Sequence, residues 1–418
     1  MSNNELASSL FILFHKLREV QRSGWLQCNI KASRVESVAD HIYQCQMLAY
    51  AMYSEYDYDI DIQKVILMLA IHEIGETIIG DITPRDMDPK LKSEYEKKAV
   101  TELLSLIPNC GLLNELFDEF ELKETNEAKF AYQIDKCECD LQCQLYAQNN
   151  FFDDKNLNYR WINNDLRRIT YDDNFRSLLE YVLDNGIEVK EHSNSPIDNV
   201  LSFYSLTNVL KNTQRTGEVI WKIKKEHYGS IAEHIYSVQM LAVIIFIVYG
   251  IDVDIKRVVN LLSIHEIGEI KLGDISALVK TDEDRVNEEK YAQSILGILS
   301  NSKLLIELLN EFNQCNSKES ICSKYCDKLG PDIISKIYDQ LGYIDLNNQE
   351  GNPFLNNPIV KKYIELKKSF SDMWMLYGQD VYKYPEPYIS LSNHVLNNGI
   401  NEHFTERVEK SMNNKKSK

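Results

Sequence analysis

Basic charge is what this chain most lacks. Lys and Arg number 46 against 63 Asp and Glu in 418 residues, a formal net charge of −17. No basic stripe of any size interrupts that acidic balance, which argues against a long nucleic acid as partner. The terminal run NNKKSK reads as a frayed tail. A small phosphate ligand remains compatible, because a bound divalent metal reverses the local field. A cysteine framework is missing too. The nine cysteines are scattered, and the one cluster, Cys137, Cys139 and Cys143, has no zinc-ribbon spacing. Reduced thiols and a cytoplasmic location are therefore expected. Long apolar runs are absent: Met240 to Tyr249 is about half of what a bilayer crossing needs, so a buried helix is expected there and no membrane partner. The start MSNNELASSL has no basic residues before its apolar run, so no signal peptide is expected. Alternating, strand-like runs are few.

What the chain does have is a repeat. SVADHIYQCQMLA precedes AIHEIGETIIGDI, and SIAEHIYSVQMLA precedes SIHEIGEIKLGDI. His41 and His72 lie 31 residues apart, as do His234 and His265. An offset of 193 also maps Glu73 to Glu266, Glu76 to Glu269 and Asp81 to Asp274. A chain of this length accommodates two domains of similar size. The expected division is 1–187, a polar linker at 188–199, and 200–418. The repeat ends LLEYVLDNGIE and LSNHVLNNGIN are 213 apart, which places about 20 extra residues in the second copy, most simply as a surface loop near 345–358.

Apolar residues recur at three- and four-residue spacing, as in Leu10, Leu13, Phe14 and Leu17, which predicts an all-α fold of two tandem helical bundles. In the first copy the expected helices run roughly over 8–20, 37–55, 61–76, 89–106, 110–121, 125–149 and 174–185. Ser37, with Asp40 three residues on, is the expected cap of the second, and Asp61 that of the third.

On one continuous helix, His72 and Glu76 would share a face, with Glu73 about 100° away. Polar groups in so apolar a segment need partners, and a divalent ion of the Mn, Fe, Co, Zn or Mg type supplies them. Glu at the fifth position of HEIGE excludes the two-imidazole face of zincins. The order also excludes the Glu-x-x-His di-iron pattern. With His41, His72 and Glu73 as ligands, a further carboxylate is needed. Asp135 and Asp327 lie 63 and 62 residues beyond His72 and His265, each with Glu eight residues before it and Asp five after. They are the expected fourth ligands.

His…His-acid…Asp on a helical scaffold resembles the HD-domain metal-dependent phosphohydrolases. RSGW, RVESVADHIY, IHEIGETIIGDITP and QIDKCE look most like the branch containing the 5′-deoxynucleotidases. That resemblance implies one divalent ion per bundle and removal of phosphate from nucleoside 5′-monophosphates. Carried over, His41, His72, Glu73 and Asp135 would hold the metal. Glu76 and Asp81 would lie by the attacking water and the sugar-phosphate, and Arg22 would bind phosphate. In the second copy the same roles fall to His234, His265, Glu266, Asp327, Glu269, Asp274 and Arg215. Trp25 would pack near the nucleoside, but its counterpart is Glu218, so the first copy looks closer to an active enzyme. Relatives of this branch are typically homodimers, which implies a pseudo-dimer within one chain.

The pattern departs from the family in one respect. The family has His-Asp; this chain has His-Glu twice, and the extra methylene displaces a carboxylate by about 1 Å against a ligand tolerance near ±0.2 Å. Retained metal binding is expected, because every other ligand position is filled. Three alternatives remain open: a non-catalytic nucleotide-binding protein on the same scaffold, a dNTP triphosphohydrolase, and a phosphodiesterase. His15, His192, His227, His394 and His403 have no matched partner and are read as lying outside the site.

Overall fold

Capped amphipathic helices account for nearly all the regular structure. The computed structural model describes residues 1–152, 172–190, 193–224, 228–345, 349–366 and 368–414. His192 and His227, two residues of the expected linker and three of the expected insertion lie outside these. Among the described residues there is no sheet, only isolated bridges. The first copy contains α1 (Asn3–His15), α2 (Val38–Glu55), α3 (Ile62–Ile71), α4 (Pro89–Ser105), α5 (Gly111–Leu122), α6 (Asn126–Gln148) and α7 (Asp173–Asn185). The second contains α8 (Pro196–Thr207), α9 (Ile231–Tyr249), α10 (Ile255–Ile264), α11 (Asp282–Leu296), α12 (Lys303–Gln314), α13 (Lys318–Gln340), α14 (Pro358–Glu365), α15 (Phe370–Tyr382), α16 (Tyr388–Asn398) and α17 (His403–Asn414). The all-α expectation holds.

The caps are those the sequence signals. Ser37 accepts from the amide of Asp40 while Asp40 accepts from that of Ser37, and Ser230 and Glu233 repeat the box at the start of α9. Asp61 and Asp254 cap α3 and α10. The expected linker is shorter than its polar stretch, because Pro196 already opens α8 with Ser195 as its cap.

The repeats share one continuous hydrophobic core. α2 packs on α9 and α3 on α10, while α1 packs on α9 and α8 on α2, so each repeat's first helix lies against the other's His-bearing helix. Where α2 and α9 face each other, the amides of Gln46 and Gln239, 193 residues apart, exchange hydrogen bonds of 3.1 and 3.0 Å.

One expectation about the extra segment needs correction. The run 345–358 is not simply a surface loop. Phe354 is completely buried against Phe370, Trp374 and Tyr377, because α14 and α15 give the extra segment its own aromatic core. The run Met240–Tyr249 is the end of a 19-residue apolar helix and is buried as expected, with 94% of that helix's most apolar window inside the protein.

Candidate metal and phosphate site

Each site is assembled from four segments. His41 sits in the first turn of α2, just after the Ser37 cap. His72 closes α3 as its C-cap, and Asp135 lies within α6. Arg22 comes from the loop before α2: Gln21 forms an isolated bridge with Ser37, and the amide of Arg22 donates to the carbonyl of Glu36 at 3.1 Å. Gln214, Ser230 and Arg215 repeat that arrangement.

The expected helix 61–76 is not continuous, so His72 and Glu76 are not on adjacent turns of one helix. α3 ends at Ile71, and a tight turn leads to a short helix, Glu76–Ile79. The turn is closed by three-residue bonds, Ile74 to Ile71 and Glu76 to Glu73. A Cβ on Gly75 would stand 2.7 Å from Cγ of Glu96, so α4 presses directly on the turn. Leaving the helix at His72 turns Glu73 toward the site.

Four groups then converge. One ligand atom each from His41, His72, Glu73 and Asp135 lies within 4.8 Å of the others, and His234, His265, Glu266 and Asp327 do the same. The longer Glu73 and Glu266 therefore still reach. The tautomers suit a cation. His72 Nδ1 donates to the carbonyl of Leu69 at 2.7 Å, and His265 Nδ1 to that of Leu262 at 2.8 Å. Each Nε2 is left buried without a hydrogen-bond partner. His41 gives Nδ1 to Glu138 at 2.6 Å and points Nε2 at Asp135, 3.3 Å away. Lys136 holds the outer oxygen of Asp135 at 2.7 Å, leaving the inner one without a hydrogen bond. Lys328 holds the outer oxygen of Asp327 at 2.8 Å, while the inner one meets His234 Nε2 at 3.2 Å. Buried polar atoms left open at one point, from neutral imidazole and carboxylate, are the donor set a divalent ion requires.

The carboxylates make both clusters strongly negative, so a proton on His41 would have to leave for a metal to bind. Burial opposes the imidazolium of His41, but Glu138 and Asp135 overrule it and raise its pKa to about 9. Burial lowers that of His72, whereas at His265 Glu266 and Asp327, both 3.5 Å from Nε2, outweigh burial and raise it. Burial works against ionised Glu73, yet His72 and Lys92 pull its pKa down to about 2. Burial and the charge of Glu73 push Glu76 well above the carboxylate range, and burial with Glu266 does the same to Glu269.

Beside the first cluster is a cavity of about 600 Å³, lined by Arg22, Trp25, Glu73, Asp81, Asp135 and Cys139 among others. Arg22 stands 3.6 Å from Glu73 and donates to Sγ of Cys139 at 3.1 Å. Glu76 is held from behind by Lys92 at 3.0 Å. Asp81 is largely occupied in building the loop: its carboxylate accepts from the amide of Ser23 at 2.5 Å, and its carbonyl from the Ser23 hydroxyl at 2.7 Å. Asp274 does the same for Thr216 and also meets Arg215 at 3.4 Å. The Trp25 indole lines the cavity and donates to Glu36 at 2.6 Å.

The second cavity, about 420 Å³, holds Arg215, His234, His265, Glu266, Glu269, Asp274 and Asp327, and its wall includes Trp374, Tyr377 and Tyr382 from α15. His394 and His403 lie on helices away from both clusters, and His15 is buried 3.4 Å from Arg18. None of the nine cysteines forms a disulfide.

Glu138, Lys136, Lys92, Lys211 and Arg18 were not expected at the sites. Glu138 had a readable signal, three residues beyond Asp135 on the same helix face.

Residues 14–165 and 207–362 match the HD domain family. A human 5′-deoxynucleotidase is 34% identical over 137 residues, 32% of this chain and 65% of that protein. A 5′-deoxynucleotidase of Schizosaccharomyces pombe is 33% identical over 35% of this chain and 75% of its own length. The chain thus spans slightly under two thirds of the human relative. A conserved hypothetical protein from Pyrococcus furiosus aligns in structure over 42% of this chain and 98% of its own, with 28% identity and a TM-score of 0.34. With both repeats matched and both clusters assembled from the repeated residues, the chain belongs to the HD domain family.

Proposed function

We propose that this protein is a metal-dependent phosphohydrolase acting on nucleotides, most simply releasing phosphate from (deoxy)nucleoside 5′-monophosphates. The observation that carries the reading is the double convergence of two imidazoles, a glutamate and an aspartate beside an arginine. A divalent ion held by His41, His72, Glu73 and Asp135 supplies Lewis acidity toward a phosphate oxygen and acidifies water. Arg22 offers a planar fork of donors to the phosphate. Glu76, whose surroundings favour its protonated form, is placed to orient the attacking water by a hydrogen bond. Trp25 provides an aromatic wall for the nucleoside, and Asp81 fixes the loop that carries Arg22 and Trp25.

The same reading treats the repeats as a pseudo-dimer in one chain, located in the cytoplasm. The reciprocal Gln46–Gln239 pair and the exchanged first helices support it. Phosphate release from a panel of nucleoside monophosphates, with Mn, Co and Mg in turn, tests the activity. Release with at least one metal is expected. No release with any metal, from protein shown to be folded, favours a non-catalytic nucleotide-binding protein. Release confined to triphosphates or diesters moves the reading to those substrates.

A further inference from the structure

We propose that Lys211, from the second repeat, is a positioning residue for the first repeat's metal site, acting through Glu138 on His41 and through Glu36 on Trp25. The inference rests on the metal-site reading above and adds that the first site is incomplete without the other half of the chain.

Lys211 ends the short 3-10 turn after α8 and is buried, with 2% of its side chain exposed. Its ammonium meets Glu36 in a short ion pair, Gln142 at 2.8 Å and Glu138 at 3.5 Å. Tyr204, also from the second repeat, donates to the same oxygen of Glu138 at 3.2 Å. The other oxygen of Glu138 receives Nδ1 of His41. Two residues of the second repeat thus hold one end of a carboxylate, and that carboxylate holds the ligand imidazole. A carboxylate on the far nitrogen fixes which tautomer and which ring plane a metal meets, so its own anchors matter to the metal. The second branch runs from Lys211 to Glu36, whose other oxygen takes the Trp25 indole N–H.

The second repeat shows that these residues act as a group. At the positions of Glu138, Glu36 and Trp25 it has Gly330, Gly229 and Glu218, and the counterpart of Lys211 is Arg18 of the first repeat. Both glutamates are gone, one acid has appeared in place of the indole, and the reaching cation is an arginine. Arg18, from the first repeat, binds Glu218 at 3.0 Å and stands 3.8 Å from Glu233. A Cβ on Gly229 would run into the Arg18 guanidinium, so glycine makes room for it. Each repeat therefore sends a buried cation into the other, but only in the first does that cation back a carboxylate on a ligand histidine.

The test is Mn(II) binding, followed by electron paramagnetic resonance, to the full chain carrying Asp327→Asn, so that the first site alone is read. Lys211→Met is expected to weaken binding about 10–100-fold, the range for loss of an outer partner of a ligand. Lys211→Arg, which restores a cation of the kind used at position 18, should recover most of the loss. Tyr204→Phe, which removes one hydrogen bond and little packing, should weaken binding by a smaller factor at an unchanged melting temperature. A lower melting temperature with unchanged Mn(II) affinity in Lys211→Met would make Lys211 merely structural and overturn the proposal. Should that variant fail to fold, Tyr204→Phe decides, and unchanged affinity overturns it. No Mn(II) binding by the Asp327→Asn parent would instead bring down the metal reading itself, and this proposal with it.

Discussion

The glycines of the two HEIGE turns give a graded test of how the cavity floor is built. Gly75 (φ −60°, ψ −34°) and Gly268 (φ −67°, ψ −24°) both have right-handed helical backbone. Alanine is therefore unstrained at either, and by itself would stabilise by about 0.4–1 kcal/mol through a less free unfolded chain. The neighbours differ. A Cβ at Gly75 would meet Cγ of Glu96 at 2.7 Å and Cγ2 of Val100 at 3.2 Å, both side-chain atoms that can rotate away. A Cβ at Gly268 would meet the carbonyl oxygen of Glu288, with the carbonyl carbon at 3.0 Å. Helix backbone cannot rotate away, so α11 must shift. Overpacking of that kind costs about 1–3 kcal/mol. Gly75→Ala is accordingly expected within about 1 kcal/mol of the parent, and Gly268→Ala to lose about 1–2 kcal/mol net. Urea unfolding midpoints measure the difference. Because α11 presses on the turn between Glu266 and Glu269, Gly268→Ala should also weaken metal binding at the second site and leave the first unchanged. Equal midpoints, or greater damage from Gly75→Ala, would refute the reasoning.

Further outcomes follow from other contacts. Glu73→Asp pulls back a carboxylate that now reaches both His72 and Arg22 at 3.6 Å, so metal affinity measured by calorimetry should fall about tenfold; tighter binding would show the longer side chain to be a handicap. Gln46→Leu or Gln239→Leu alone strands a buried amide and should cost about 1–3 kcal/mol, while the double variant should cost less than the two together; strict additivity in denaturant titrations would deny the coupling. Burial holds the Asp332 carboxyl well above its ordinary range, beside the Tyr384 hydroxyl at 2.8 Å. A raised folded value means that its stabilisation is complete below the unfolded value and is lost as pH rises through the folded one. Asp332→Asn should therefore gain on the parent in melting temperature between pH 4 and pH 9; parallel curves would contradict this.

Much of the molecule was legible because its local signals agree with its packing. Ser37 and Asp61 cap helices where a cap precedes an apolar period, and His41, His72, Glu73 and Asp135 meet as the fixed spacings implied. Two kinds of feature escaped. The break after Ile71 depends on α4 lying against Gly75, a tertiary contact that no window of sequence contains, so HEIGE read as one uninterrupted helix. Glu138 escaped for the opposite reason. Demanding a match between repeats sharpened the choice of Asp135, but it discarded any residue present in one copy only, and Gly330 stands where Glu138 should recur. The criterion that finds what two sites share is blind to what distinguishes them.

What distinguishes them lies where the repeats reach into each other. In two identical subunits, a side chain crossing the interface would serve both sites, and any change in it would alter both at once. Fusion removes that constraint: position 18 serves the second site and position 211 the first, and they now hold arginine and lysine. The partners have changed with them. Glu36 and Glu138 surround the lysine; Glu218 and Gly229 surround the arginine. Buried cations and carboxylates must change together, because a charge left unpaired in the interior costs several kcal/mol. The metal clusters have stayed alike while the shells behind them have parted. The halves of this chain should therefore diverge first in how firmly they hold a metal and what they admit beside it, and only later in whether they hold one at all.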